Sequence, residues 1–207
     1  MASEHIYKQF DSDLEAIRAK VLEMGTLVEE QTANAVKSLL NTDIKLAEEV
    51  MKRDNQINDL EMAIDEETSL LIAKRSPAAG DLRNIMMMLK IITDLERMGD
   101  EAAKIARSTT RIFEDNRMSK PRFTEIKGMA KAVQGMIKTA LNSFARLDLS
   151  DTIDILEKDK QVDDDYRSCM RQLLTFMLED PRTISMSLES MFIAKSLERI
   201  GDHAVNI

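Results

Sequence analysis

Leu95-Glu96-Arg97-Met98-Gly99-Asp100 returns almost letter for letter as Leu197-Glu198-Arg199-Ile200-Gly201-Asp202. Working outward from this pair, the same correspondence extends through the chain. A shift of 105 residues sets Met24, Val28, Ala35, Leu39 and Asp43 on Met129, Val133, Ala140, Phe144 and Asp148. It also sets Val50, Asp54, Gln56, Ile57 and Asp59 on Ile155, Asp159, Gln161, Val162 and Asp164. A loop three residues shorter in the second half reduces the shift to 102 before the repeated motif, a length change that surface loops tolerate. Self-similarity at a fixed offset marks internal duplication. The junction falls near Met118 to Pro121, giving units of residues 1–117 and 118–207.

Each unit reads as three helices. In the first, Phe10, Leu14, Ile17, Val21, Met24, Val28, Ala35 and Leu39 step by alternating fours and threes, with Thr32 in the one polar position. A period of 3.5 implies near-parallel helices in a left-handed bundle. Asn41-Thr42-Asp43 ends the stripe with a turn and an N-cap. The second helix is expected from about Ile44 to Lys74, with a stripe of Leu46, Val50, Ile57, Leu60, Ile64 and Leu71. Pro77 stops it, because proline lacks an N–H and clashes with the preceding turn. The third is expected from Ala79 to Phe113, with Asp81 meeting the dipole at its start. Pro121 suits an early position in the fourth helix. The fold class is therefore all-α, two tandem three-helix bundles. The chain ends at Ile207 within the equivalent of the third helix, so the sixth helix is expected to be cut short.

Composition agrees. The chain has 43% hydrophobic and 4% aromatic residues, six Gly, three Pro and no Trp, which favours helix over strand. The net charge is −8 and the pI about 5.0, against a nucleic-acid partner. Cys169 stands alone, so neither a disulfide framework nor a cysteine zinc site is available, consistent with a reducing compartment. No run is long enough to span a bilayer; membrane contact is expected only peripherally, through partners.

The chemistry concentrates in the repeated motif. Glu96 and Asp100 lie one helical turn apart on one face, as do Glu198 and Asp202. Ile85, Leu89 and Ile92 run straight into Glu96 and Asp100, while Met88, Ile91, Leu95, Met98, Ala102 and Ile105 form a second apolar stripe. A helix packed on two sides leaves these acids partly exposed. Their mutual repulsion worsens on desolvation, and a bound cation reverses both effects. Carboxylate oxygens suit magnesium, calcium, manganese or iron. Gly99 and Gly201 cost about 0.8–1.0 kcal/mol each in a helix interior, so close approach by a helix or an ion should offset them. The second helix offers complementary donors: Asp54, Asn58, Glu61 and Asp65 in one polar stripe, with Asp159 and Asp163 in the second unit. Asn58 is a weaker ligand than Asp163, so the first site is expected to bind less well or hold fewer ions. The simpler alternative is surface ion pairing, Asp100 with Arg97 or Lys104 and Glu198 with Lys195.

Other features are weaker. Met86-Met87-Met88 suits core and interface packing better than a soft-metal site. His203, whose counterpart is Glu101, is rotated off the acid face and reads as a surface histidine. The sequence holds no glycine-rich phosphate loop and no His-Glu-x-x-His. It also lacks the Glu-x-x-His pairs of a di-iron oxidase and a nucleophilic constellation.

At its two Glu-Arg-x-Gly-Asp motifs, in the run Lys90-Ile91-Ile92-Thr93-Asp94-Leu95, and in its duplicated plan, the sequence resembles the PhoU family of phosphate-uptake regulators. The resemblance covers essentially the whole chain. It implies multinuclear metal sites, with iron, or zinc, manganese, magnesium or calcium as alternatives. These would be held by Glu96 with Asp100 and Glu198 with Asp202, completed by Asp54 and by Asp159 with Asp163. It implies a cytoplasmic, often dimeric, non-enzymatic protein. Such a protein links a phosphate ABC transporter to a sensor histidine kinase and represses the phosphate-starvation response. Two other readings stand beside it: a metal-dependent hydrolase or oxidase, and a purely structural helical dimeriser.

Overall fold

The heptad-like stripes become six long helices. The computed structural model describes residues 2–114 and 124–207, with side chains described from Phe10 onward. Helices α1 (Ala2–Asn41), α2 (Ile44–Arg75) and α3 (Ala79–Glu114) form the first bundle. Helices α4 (Thr124–Arg146), α5 (Thr152–Glu179) and α6 (Ile184–Asn206) form the second, with a 3₁₀ turn at Pro181–Thr183 before α6. Among the described residues there is no strand. The expected junction at Met118 to Pro121, and Pro121 itself, lie outside the described residues.

The sequence signals act where they were placed. The α1 stripe from Ile17 to Leu39, including Thr32, is buried. Asp43 caps α2, its side chain accepting a 3.0 Å hydrogen bond from the Leu46 N–H. Ser76, at φ 44°, ends that helix, and its N–H donates to the Ile72 carbonyl before Pro77. Duplication extends into the turns. Thr42 (φ 59°) and Leu147 (φ 53°) occupy the same left-handed position, 105 residues apart. The N–H of Asp43 donates to the Ser38 carbonyl at 2.8 Å, and that of Asp148 to the Ser143 carbonyl at 3.1 Å. These are the same helix-ending closure built twice.

The units join where α3 packs on α6 and α1 on α4. Across the α3–α6 seam the cross-links obey a pseudo-twofold. Glu101 of α3 accepts from Ser196 of α6 at 2.8 Å. At the equivalent place with the units exchanged, His203 of α6 meets Asp94 of α3 at 2.8 Å. As positions rise on one helix they fall on the other, so α3 and α6 run antiparallel. His203 is therefore not the surface histidine expected. Its side chain is 16% exposed, because the antiparallel seam brings the α3 carboxylate onto it. At the other seam, Arg18 of α1 donates to the carbonyls of Phe144 and Ala145 at 3.1 and 2.6 Å, placing a cation on the negative end of α4. Of the methionine triplet only Met88 enters the core; Met86 and Met87 are exposed, since three consecutive residues span most of a helical turn.

Candidate metal centres

Both copies of the repeated motif face the preceding helix of their own unit, where the two polar stripes meet. In the first unit, α3 presents Glu96 and Asp100, both half-buried, toward Asp54 and Glu61 of α2. Gly99 makes this approach possible. A β-carbon there would lie 2.9 Å from Ile57 Cδ1 and 3.4 Å from Asp54 Oδ1. Gln31 of α1, buried beneath, donates from Nε2 to Asp54 Oδ1 at 3.1 Å and to the Gly99 carbonyl at 3.4 Å. One amide thus ties all three helices at the carboxylates. In the second unit Gly201 has the same setting: a β-carbon would lie 3.6 Å from Met136 Cε and 3.8 Å from Asp159 Oδ1. Met136 is the repeat equivalent of Gln31.

The acids raise one another's pKa. Burial holds Asp54 above the usual carboxylate range, and Asp100 adds to it, against the Gln31 hydrogen bond and the charges of Arg107 and Lys104. Burial is also the main cause for Glu96, with Asp100, Glu61 and Asp54 pushing the same way. Glu61 is raised by burial and then by Asp65. In the second unit burial raises Asp159, with Asp163 and Glu198 adding. Asp202 is raised by burial and then by Asp159. The sequence-read set of Asp54, Glu96 and Asp100, and that of Asp159, Asp163, Glu198 and Asp202, therefore each gather into one electrostatic cluster.

The clusters differ in how they are neutralised. Among the described residues, Asp54, Glu61, Glu96 and Asp100 make no ion pair; Lys104, a candidate partner for Asp100, bonds Glu101 instead at 2.9 Å. In the second cluster the expected pair does form, Lys195 to Glu198 at 2.6 Å. Lys195 also stands 5.4 Å from the centre of the Tyr166 ring, and Arg167 lies 3.5 Å from Asp163. The repeat equivalents of Tyr166 and Lys195 are Glu61 and Thr93, so the first centre has a carboxylate and a neutral hydroxyl where the second has a phenol and a cation.

Donor chemistry in the first cluster fits a hard cation. It consists of carboxylate oxygens, and Asn58, one turn from Asp54 in the same α2 stripe, has its amide oxygen buried without a hydrogen-bond partner, a desolvation cost that a ligand bond would relieve. Among the described residues, no three or more His, Cys, Asp or Glu side chains already stand at chelating positions. An ion would have to draw them together. Sequence reasoning left Gln31 unread and did not rank Glu61 with the ligands. Both were detectable as polar residues that the repeat shift sets on Met136 and Tyr166.

The PhoU domain matches residues 21–109 and again residues 126–207. The chain belongs to the PhoU family. Its relatives include the phosphate-specific transport system accessory protein PhoU homolog of Pseudomonas aeruginosa, 44% identical over 206 residues, covering 99% of this chain and 84% of that protein. The phosphate-specific transport system accessory protein PhoU of Escherichia coli K12 is 40% identical over 205 residues, covering 99% and 84%. The crystal structure of PhoU from Pseudomonas aeruginosa superposes with a TM-score of 0.91 over 95% of this chain and 94% of that one. That of the phosphate transport system regulatory protein PhoU from Streptococcus pneumoniae, 28% identical, reaches 0.86 over 95% and 92%. The duplicated three-helix PhoU fold read from the sequence is thus the fold of solved family members. Among the described residues, no helix of this PhoU-family chain is long and apolar enough to cross a membrane.

Proposed function

We propose that this chain is an accessory regulator of phosphate transport. It would act in the cytoplasm as a metal-binding, non-enzymatic adaptor between a phosphate ABC transporter and a sensor histidine kinase, repressing the starvation response when phosphate is plentiful. What supports the reading most is the same device at equivalent places in both repeats: carboxylates on two helices, with a glycine that lets them approach. The clusters contain no histidine or nucleophile, so they suit cation binding and bundle rigidification better than turnover. Asp54, Glu96 and Asp100, with Glu61 and the Asn58 oxygen, would hold an ion in the first unit. Asp159, Asp163, Glu198 and Asp202 would hold one in the second. Iron, manganese, zinc, magnesium and calcium are the candidates, and a bound cation would supply charge neutralisation across the helix seam. Homodimerisation belongs to the same proposal.

The test purifies the chain without affinity tags or chelators. Its metal content and its capture of the transporter and kinase are compared with those of a Glu96→Gln, Asp100→Asn, Glu198→Gln, Asp202→Asn variant. Metal and partner capture that fall together support a metal-dependent adaptor. Equal, negligible metal in both proteins refutes intrinsic centres, and unchanged partner capture in a metal-free variant refutes their regulatory role.

A further inference from the structure

The α3–α6 seam carries a second charged feature, opposite in sign to the carboxylate centres. A groove of about 400 Å³ opens there, lined by Lys104, Arg107 and Arg111 of α3 and by Lys195 and Arg199 of α6. Acids outnumber bases 37 to 29 in this chain, yet the groove wall holds five cations and one carboxylate. That carboxylate is Glu101, only 5% exposed at its side chain, and it organises the floor. It accepts from Lys104 Nζ at 2.9 Å, from Arg199 Nη1 at 2.9 Å and from Ser196 Oγ at 2.8 Å.

The remaining cations are not consumed by this arrangement. Arg111 leans on Glu189 at 3.4 Å at one edge, and Lys195 on Glu198 at 2.6 Å at the other. Arg107 makes no ion pair among the described residues, though its charge acts on Asp54 from a distance. An arginine carries five N–H donors. Arg199 and Arg111 each commit one nitrogen to a carboxylate, leaving the others for a ligand. Fixed guanidinium forks match phosphate oxygens bidentately. Three positions of this groove change between the repeats: the equivalents of Lys195 and Ser196 are Thr93 and Asp94, and that of Lys104 is Asn206.

Size and an aromatic ring narrow the ligand. The volume falls within the range of small-molecule sites. Phe192 lines the groove with 58% of its surface exposed, beside Lys195 and Ser196, where a planar base can stack. We propose that this groove binds a nucleoside di- or triphosphate, its phosphates on Arg107, Arg199 and Lys104 and its base on Phe192.

The test titrates the full chain, stripped of divalent cations so that metal-bridged binding does not contribute. Calorimetry is run with ATP, ADP, tripolyphosphate and inorganic phosphate, and sedimentation with vesicles containing phosphatidylglycerol. The variants are Arg107→Gln, Arg107→Glu and Phe192→Ala, at exposed side chains that carry no part of the core; circular dichroism melts verify their folding. ATP or ADP binding should weaken roughly tenfold or more in the Arg107 variants and about tenfold in Phe192→Ala. Tripolyphosphate should respond to Arg107 but not to Phe192. Nucleotide binding indifferent to Arg107 overturns the site. Tripolyphosphate binding as tight as ATP, with Phe192→Ala silent, overturns the nucleotide. Absence of binding by all four anions, or binding to vesicles alone, overturns the proposal.

Discussion

Alanine at Gly99 and at Gly201 should have opposite effects although the two positions are repeat equivalents. In a helix interior, replacing Gly by Ala is worth about 0.8–1.0 kcal/mol of propensity. At Gly201 nothing opposes that gain: the added methyl sits at van der Waals distance from Met136 Cε and Sδ, 3.6 and 3.8 Å, the far end of a flexible side chain. Gly201→Ala should therefore stabilise by about 1 kcal/mol, a rise of roughly 2–4 °C in Tm for a chain this size. At Gly99 the methyl would stand 2.9 Å from Cδ1 and 3.4 Å from Cγ2 of Ile57, a side chain 1% exposed and walled in by the core. Overpacking of that kind costs about 1–3 kcal/mol. Set against the propensity gain, Gly99→Ala should come out about 0–2 kcal/mol less stable than the parent. Urea unfolding of the chelator-treated protein, with equal m values, measures both. Equal stabilisation by the two alanines would refute the claim that α2 and α3 approach closely enough at Gly99 to demand a missing side chain. The same methyl lies 3.4 Å from Asp54 Oδ1, so Gly99→Ala should also weaken cation binding at the first centre more than Gly201→Ala does at the second.

Asp54, Glu61, Glu96, Asp159 and Asp202 all titrate above the ordinary carboxylate range, chiefly through burial and secondarily through neighbouring carboxylates. The folded protein therefore holds these protons more tightly than the unfolded chain. Metal-free stability should rise as pH falls from neutral through the raised values and stop rising below the unfolded ones, read as Tm against pH; cation affinity should fall over the same window. Lys195→Met removes the internal cation from Glu198 and should raise divalent-ion affinity in the second centre, as followed by calorimetry in a background of Glu96→Gln and Asp100→Asn that silences the first; an unchanged second-site affinity would sink that assignment.

The fold was legible because its determinants are local. A period of 3.5, Asp43 as a cap, Pro77 as a stop and the offset of 105 each survive in one dimension. The carboxylate clusters were legible for the same reason: Glu96 with Asp100 and Asp159 with Asp163 are pairs within single helices, and only their meeting across α2–α3 and α5–α6 needed three dimensions. What escaped depends on how the units dock. His203 reads as a surface residue until the antiparallel α3–α6 seam brings Asp94 onto it. Lys104, Arg107 and Arg111 step by three and four along α3, as Lys195 and Arg199 step by four along α6, which a sequence reader takes for two solvated faces. The packing makes them one groove.

The departures from the repeat around the centres change polarity or charge. Gln31 against Met136, Glu61 against Tyr166, Asn58 against Asp163 and Thr93 against Lys195 leave the backbone plan intact. Counted over the four named acids of each centre, both carry the same formal charge. The second, however, has Lys195 hydrogen-bonded to Glu198 and Arg167, itself hydrogen-bonded to Asp164, at ion-pair distance from Asp163, while the first has no ion pair among the described residues and feels Arg97, Lys104 and Arg107 only at a distance. Exposed ion pairs contribute little to stability, but the Lys195 hydrogen bonds to both Glu198 oxygens occupy lone pairs that a metal would need. Asn58 removes one charge from the first centre, yet its unpartnered oxygen remains a donor, and Glu61 restores the charge from one turn away. The charge that Asn58 removes is thus matched by Glu61, while Arg107 and Lys104 act on Asp54, and Arg97 on Glu61 and Glu96, from a distance. If the proposed centres bind cations, a hydrogen-bonded lysine in one cluster and none in the other would make them fill in two steps, where two equal clusters would fill in one.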